Sequence, residues 1–349
     1  MVGKRAATPD TDRKTAELTL LRAIRERAAG RSRGGMRLGI GDDCALVSPR
    51  PGEELAVTTD LSIAGRHFRL DWHPPEAIGH RALARGLSDL VAMGARPVAA
   101  FLSLGLPRGL TTARKGNRSW VDRFFDGLLG LAAKYNVPLA GGDLAESALA
   151  VADIVLVGAV PCGRALLRSG ARPGHLLYVT GALGGAAAGL SRLATIAKNP
   201  SRRSGPLRIA KKMEAQLSAH LYPQPRIDQG LWLQRRGLAS AALDLSDGLS
   251  TDLAHLCAES GVAAEVDAAL LPLQQGATLD QALYGGEDYQ LLFAAPPNAR
   301  VPHTIAGVSI TQIGRIVKRS PDRPAMTLLT SQGPQPLEPR GWEHFSGQG

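Results

Sequence analysis

The sequence predicts an α+β protein of two domains. Its 349 residues suffice for two domains of ordinary size. Its first half mixes several strand-like runs with two substantial helices. A basic Gly/Pro stretch, "PCGRALLRSGARPG", breaks that pattern near 160–168, and a second set of strands and helices follows. The expected units are a flexible tail over 1–14, one domain over 15–162 and another over 163–346.

Residues 14–30 read as an amphipathic helix, with Leu18, Leu21 and Ile24 at roughly helical spacing. "MRLGIGDDCALV" reads as a strand interrupted by a Gly-Asp-Asp turn, and "ELAVTTDLSIAGRHF" as a strand ending in polar residues. In "PPEAIGHRALARGLSDLVAMGARP" a helix is predicted. Pro74 and Pro75 suit its start, Leu83, Leu87 and Leu90 its apolar stripe, and Gly94 its end. "VAAFLSLGLP" is a strand and "WVDRFFDGLLGLAAKYN" a helix. "VPLAGGDLAES" is a strand running into a Gly-Gly-Asp turn, and "ALAVADIVLVGAV" another strand. The second half opens with the strand "HLLYVTG" and a small-residue helix, "GGAAAGLSRLATIA". "KNPSRRSGPLR" reads as a mobile loop. A helix near "GLWLQRRG", the acidic segment "LDLSDGLSTDL", a strand "AAEVDA", a turn "YGGEDYQLLFA", a terminal strand "ITQIGRIV" and a fraying tail complete the chain.

Composition narrows the function. Hydrophobic residues are 44% and charged residues 21%, and no apolar run is long enough to span a bilayer. The N-terminus lacks the apolar core of a secretory signal, so cytoplasmic residence is expected. Cys44, Cys162 and Cys257 lie far apart with no CxxC spacing, which suggests neither a disulfide framework nor a zinc site. The net charge of +10 suits nucleic acid or anionic substrates. The basic residues are dispersed, however, and aromatics are only 4%, too few for base-stacking platforms.

The informative pattern is acidic. Five segments run from apolar residues through small or hydroxyl residues to aspartate. They are "GIGDD" (Asp42, Asp43), "AVTTD" (Thr58, Thr59, Asp60), "GLSD" (Ser88, Asp89), "LAGGD" (Asp143) and "LDLSD" (Asp244, Ser246, Asp247). Phosphate bound through a divalent metal wants this chemistry. Mg²⁺ takes oxygen ligands, usually carboxylates plus substrate phosphates. Glycines let backbone N–H groups approach phosphate oxygens. Each acid also has a plain alternative: Asp247 as a helix cap, Asp43 as a hairpin turn, Asp60 as a strand end, Asp89 as a solvated helix face. Two carboxylates about 4 Å apart repel by roughly 4 kcal/mol at an effective dielectric of 20, so convergence demands cations. Other chemistries fit poorly. "GALGGAAAG" lacks the Lys-Ser/Thr of a P-loop, and there is neither a GxSxG elbow nor an HExxH pair. His67 reads as an ordinary loop or core histidine as readily as a substrate contact, and Trp342 reads by default as a packing anchor for the C-terminus.

The ordered set "LGIGDDCALV", "VTTDLSIAGRHF", "ALARGLSDLVAMGARP", "LAGGDLAES", "LDLSDGLSTDLAHL", "YGGEDYQLLF", "IGRI" and "GWEHF" closely resembles the bacterial thiamine-monophosphate kinase family over residues 37–346. The resemblance implies an aminoimidazole ribonucleotide synthetase-like fold, with an N-terminal domain that dimerises through its sheet into a homodimer. It implies transfer of the γ-phosphoryl of ATP onto thiamine monophosphate, directly and without a phosphoenzyme. Carried over residue by residue, Asp43, Thr58, Thr59, Asp60, Asp89, Asp143, Asp244 and Asp247 would hold several Mg²⁺ ions, with Asp89 and Asp247 central to catalysis. Gly142, Asp143, Arg168 and Ser246 would contact ATP, with Phe125 at the place of a tyrosine near ATP. His67, Glu287 and Trp342 would contact thiamine monophosphate. His175 and Gly185 depart from the family, which usually carries Asp at both places.

The rivals are sister Mg-ATP enzymes: aminoimidazole ribonucleotide synthetase, selenophosphate synthetase and the hydrogenase-maturation dehydratase. No Cys precedes Cys44 as a selenophosphate synthetase would have it, and the last residue is Gly349 rather than cysteine. A rival of another class is a basic nucleic-acid-binding protein whose acids are structural caps, which predicts salt-sensitive DNA retention.

Overall fold

The structure is a computed structural model that describes residues 11–28, 35–113, 118–199, 207, 209 and 211–342; of 11–18, 211 and 212 only the backbone is described. The first half comprises α1 (Thr11–Ala28), β1 (Met36–Leu38), β2 (Leu46–Val47), β3 (Glu53–Ile63), α2 (Pro75–Ala92), β4 (Arg96–Leu106), α3 (Trp120–Tyr135), β5 (Leu139–Glu146) and β6 (Val151–Pro161). β1 and β2 form the hairpin around the Gly-Asp-Asp turn. The other four strands form one sheet in the order β3-β6-β4-β5, antiparallel except for the β4–β5 pair.

One face of this sheet carries Ala152, Ile154 and Leu156 of β6 with Leu102 and Leu104 of β4, all buried in the core shared with α2 and α3. The strands alternate, so the opposite face carries Leu55, Val57 and Leu61 of β3, all large, apolar and exposed. The helices press together because two glycines leave room. A Cβ on Gly79 would lie 1.9 Å from the Phe124 carbonyl oxygen, and one on Gly127 1.8 Å from that of Glu76. α3 starts at a capping box of Ser119 and Asp122 and ends at Asn136, whose φ of 55° is left-handed.

The second half comprises β7 (Leu176–Thr180), α4 (Gly185–Ala197), α5 (Lys211–Leu221), α6 (Ile227–Arg236), β8 (Ala241–Asp244), α7 (Leu249–Ser260), β9 (Ala263–Asp267), α8 (Leu279–Tyr284), β10 (Leu291–Ala295), β11 (Thr304–Ile305), β12 (Val308–Val317), β13 (Met326–Thr330) and β14 (Gly333–Pro336). Its sheet runs β14-β13-β9-β12-β7-β10-β8, with β11 paired to β12. Leu177, Val179, Leu243, Leu292 and Ile313 of that sheet share a core with Leu249, Leu253 and Leu256 of α7.

Four expectations change. α1 begins at Thr11, so residues 11–14 of the expected tail are helical, and residues 1–10 lie outside the described residues. β5 does not stop at a Gly-Gly-Asp turn: Gly141, Gly142 and Asp143 stay in the strand, paired with Phe101, Leu102 and Ser103 of β4. α5 was not foreseen, because its apolar residues are sparse among polar ones. "ITQIGRIV" is not the last strand, since the β13–β14 hairpin follows it. Most of the expected 198–208 loop and the fraying tail lie outside the described residues.

Candidate functional site

The two halves meet along α2. The Ser88 hydroxyl donates to Asp244 Oδ2 at the end of β8, at 2.6 Å and fully buried. Arg81, two turns nearer the start of α2 on the same face, pairs with Glu287 at 2.6 Å. Beside this seam lies a cavity of about 550 Å³. Its lining gathers seven of the expected residues: Asp60, His67, Asp89, Ser246, Asp247, Glu287 and Trp342.

Asp60 and Thr58 project from the same face of β3 towards α2, where the Thr58 hydroxyl donates to Asp89 Oδ2. Asp89 is half-buried, so its reading as a solvated helix face fails. Asp60 pairs with Arg85 at 3.2 Å. Burial, and then the Asp89 carboxylate, push Asp60 up to about 6. Burial also raises Asp89, against the pull of the Thr58 hydroxyl and Arg85. Asp60 and Asp89 lie close enough for each carboxyl to act on the other. Asp244 is buried beneath the pair, and burial followed by the Asp89 charge raises it well above the usual carboxylate range. Arg168 is exposed, close enough for its charge to act on Asp89.

The segment 243–253 divides its labour. Asp247 is not the cap of α7. Asp252, one turn in, accepts the N–H groups of Ser246, Asp247 and Gly248 at 3.0, 3.1 and 3.1 Å. Asp247 lines the cavity. The Trp342 N–H donates to the Asp247 carbonyl at 3.1 Å, which brings an exposed indole to the cavity mouth. His67 Nδ1 accepts the Ile63 N–H at 3.1 Å, which fixes its ring at the end of β3.

A second cavity of about 450 Å³ lies at the β5 edge of the first sheet and takes Asp43, Phe125, Gly142 and Asp143. Phe125 is a buried wall. Gly142 is demanded by its surroundings: at φ 147°, an added Cβ would lie 1.9 Å from the Leu102 carbonyl oxygen. The six aspartates therefore form two groups, not one. Asp143 stands in one row with Ser103, Asp153 and Leu61. Three strand spacings separate its backbone from β3, roughly 14 Å. That row lies on the outward face of the sheet, as does the row of Thr59, so the side chains of Thr58 and Thr59 point to opposite sides. Among the described residues no group of three His, Cys, Asp or Glu side chains is gathered to hold a metal ion.

The two departures are absorbed locally. His175 Nδ1 meets the Ser240 hydroxyl at 2.8 Å. Beside Gly185, Asp288 accepts the N–H groups of Gly184 and Ala186 at the start of α4. The sequence reading overlooked Trp72, His73, Arg85, His220 and Tyr289, all of which line the larger cavity. None sits beside a glycine-aspartate signal; Arg85 alone was traceable, four residues before Asp89 on one helix face.

Comparison with known proteins bears on this site. Residues 41–164 match the AIR synthase related protein, N-terminal domain, and residues 172–324 match the AIR synthase related protein, C-terminal domain. The chain is 39% identical over 329 residues to the thiamine-monophosphate kinase of Escherichia coli, covering 90% of this chain and 94% of the relative. It is 30% identical over 340 residues to that of Bacillus subtilis, covering 94% and 99%. The crystal structure of thiamine-monophosphate kinase from Stenotrophomonas maltophilia is 37% identical with a TM-score of 0.73, covering 87% of this chain and 94% of that one. A structure described as AaThiL complexed with AMPPCP and TMP is 30% identical with a TM-score of 0.71, covering 97% and 100%. The hydrogenase maturation protein HypE in complex with ATP shares the fold, at a TM-score of 0.71 and 17% identity.

Proposed function

The chain belongs to the thiamine-monophosphate kinase family, and from that premise we propose that it transfers the γ-phosphoryl group of ATP to thiamine monophosphate. The products are thiamine diphosphate and ADP, the last step in making thiamine diphosphate. One observation carries the reading: a single cavity at the domain seam joins phosphate-handling acids to a place for a flat ring. Asp60, Asp89 and Asp247 supply the acids, and Trp342, Trp72 and Glu287 line the same space. A relative of full-length coverage holds an ATP analogue together with TMP, which supports the same pair of substrates here.

In this reading the acceptor's cationic ring lies against Trp342, where an aromatic face attracts a cation. Its phosphate turns towards the acids of α2 and β3. The attacking phosphate oxygen is ionised at neutral pH, so no strong general base is needed. What the reaction needs is orientation and charge neutralisation. The donor set is all oxygen: carboxylates of Asp60, Asp89, Asp244 and Asp247 and the hydroxyl of Thr58, with Asp43 and Asp143 at the other cavity. That chemistry suits Mg²⁺, and the raised carboxyls of Asp60 and Asp244 mark acids short of positive charge. Bound Mg²⁺ would neutralise phosphate charge between these acids and the two substrates. Gly142 and Asp143 would take the nucleotide with Phe125 behind them, and Ser246 and Arg168 would meet it from the seam.

We also propose a homodimer formed through the outward face of the first sheet, where Leu55, Val57 and Leu61 would otherwise meet water. Asp143 and Thr59 lie on that face, so dimerisation would border the nucleotide cavity. A domain boundary near 162–163 and residence in the cytoplasm complete the proposal; among the described residues no helix is long and apolar enough to cross a membrane. A thermal-shift titration tests the site. Mg²⁺ with a nonhydrolysable ATP analogue at about 100 times Kd should stabilise the protein by about 2.7 kcal/mol. No shift at saturation would refute a nucleotide site built from these acids.

A further inference from the structure

Behind the larger cavity, the Arg81 side chain is 6% exposed and joins three separate segments. Nη2 donates to Glu287 Oε1 at 2.6 Å and to the His67 carbonyl at 3.2 Å. Nη1 donates to the His220 carbonyl at 2.7 Å and stands 3.0 Å from His220 Nδ1. The His220 ring in turn meets His73, Nε2 to Nε2, at 3.0 Å. Neither imidazole competes with Arg81 as a cation. Burial, and then the Arg81 charge, lower His73 to about 4 and His220 well below its ordinary value.

Glu287 is held from both ends. Its backbone is left-handed, at φ 69°, and its N–H donates to the Ser246 carbonyl at 2.8 Å. Such a conformation persists only where the surroundings over-determine it. Its Oε1 is committed to Arg81, and its Oε2 lies 3.7 Å from His220 Nδ1, too far for a hydrogen bond. Glu287 nonetheless lines the cavity, so Oε2 is the oxygen left for a ligand.

We propose that Arg81 is a positioning residue for acceptor recognition: it locks Glu287 and the His67 loop together, so that Glu287 offers the cavity one directional acceptor oxygen. The ligand chemistry this selects is a planar ring bearing an N–H donor, because the carboxylate charge is already matched inside the protein. The proposal rests on the reading of this cavity as the acceptor site.

The test uses R81M, R81K and E287A in the full chain, with KM for thiamine monophosphate and for ATP, kcat, and a melting curve for each. R81M should raise the acceptor KM about tenfold or more, the loss expected for a charged hydrogen bond, with the ATP KM and kcat within about threefold. R81K keeps a charge beside Glu287 but cannot span all four contacts, so it should fall between wild type and R81M. If R81M does not fold, R81K carries the test, with an acceptor KM about threefold or more above wild type. An acceptor KM within about twofold of wild type in the folded Arg81 variants, while E287A raises it, overturns the positioning role. An unchanged acceptor KM in E287A overturns the cavity assignment instead.

Discussion

Replacing Asp252 by Ala separates scaffold from chemistry in the segment 243–253. One oxygen of this buried side chain accepts three backbone N–H groups, from Ser246, Asp247 and Gly248. Its loss leaves three amides at the start of α7 without their partner. Each net hydrogen bond is worth about 1 kcal/mol, somewhat more to a charged acceptor, and cap deletions reach about 2 kcal/mol. D252A should therefore lose roughly 2–4 kcal/mol. For a domain of this size each kcal/mol lowers Tm by about 2–4 °C, which gives a fall of about 5–15 °C. Turnover should fall as well, because the loop that presents Asp247 loosens. D247N should show the opposite split: Tm within about 2 °C of wild type and turnover down at least about a thousandfold. Calorimetry or circular dichroism melts, with the two variants assayed side by side, decide the matter. A D252A melt within about 2 °C of wild type would refute the capping role. Near-normal turnover in D247N would return Asp247 to the role of a turn residue.

Stability should also depend on pH in a defined direction. Asp60 and Asp288 are raised to about 6 and Asp252 to about 7, in each case first by burial. Acids with folded values above their unfolded values near 4 bind protons on folding, so their contribution is full below about pH 4 and declines as pH rises through 6–7. In EDTA the Tm should fall between pH 5 and about 7.5, and Mg²⁺ with an ATP analogue should shrink that fall; a flat or rising profile in EDTA contradicts it. Val57 is 62% exposed on β3. V57D should leave the fold intact and give a monomer in sedimentation velocity, and an unchanged dimer would place the interface elsewhere. S88A strips Asp244 of its 2.6 Å donor across the domain seam. It should cost about 1–3 kcal/mol in denaturant titration, and a change below about 0.5 kcal/mol would mean that the seam does not depend on this bond.

Local signals carried most of the elements. The apolar stripe of α2 and the alternation of β3 are visible in the residues that now face the core. Glycine-aspartate spacing pointed to both cavities, because tight backbone and carboxylate occur there in neighbouring residues. It could not show that the acids divide into two groups, since that depends on the order β3-β6-β4-β5, a long-range pairing. Nor could it separate Thr58 from Thr59 without knowing which face of β3 is covered. Arg81 and His220 were invisible for a similar reason: they meet across 139 positions, on α2 and on a helix too weakly patterned to foresee.

The most direct measurement is turnover with ATP, Mg²⁺ and thiamine monophosphate, with products separated by chromatography. Thiamine diphosphate and ADP should form in equal amounts, and both should vanish with EDTA. ATP hydrolysis without thiamine diphosphate, or no turnover by protein that binds Mg-ATP, would contradict the assignment and leave the fold with a different acceptor.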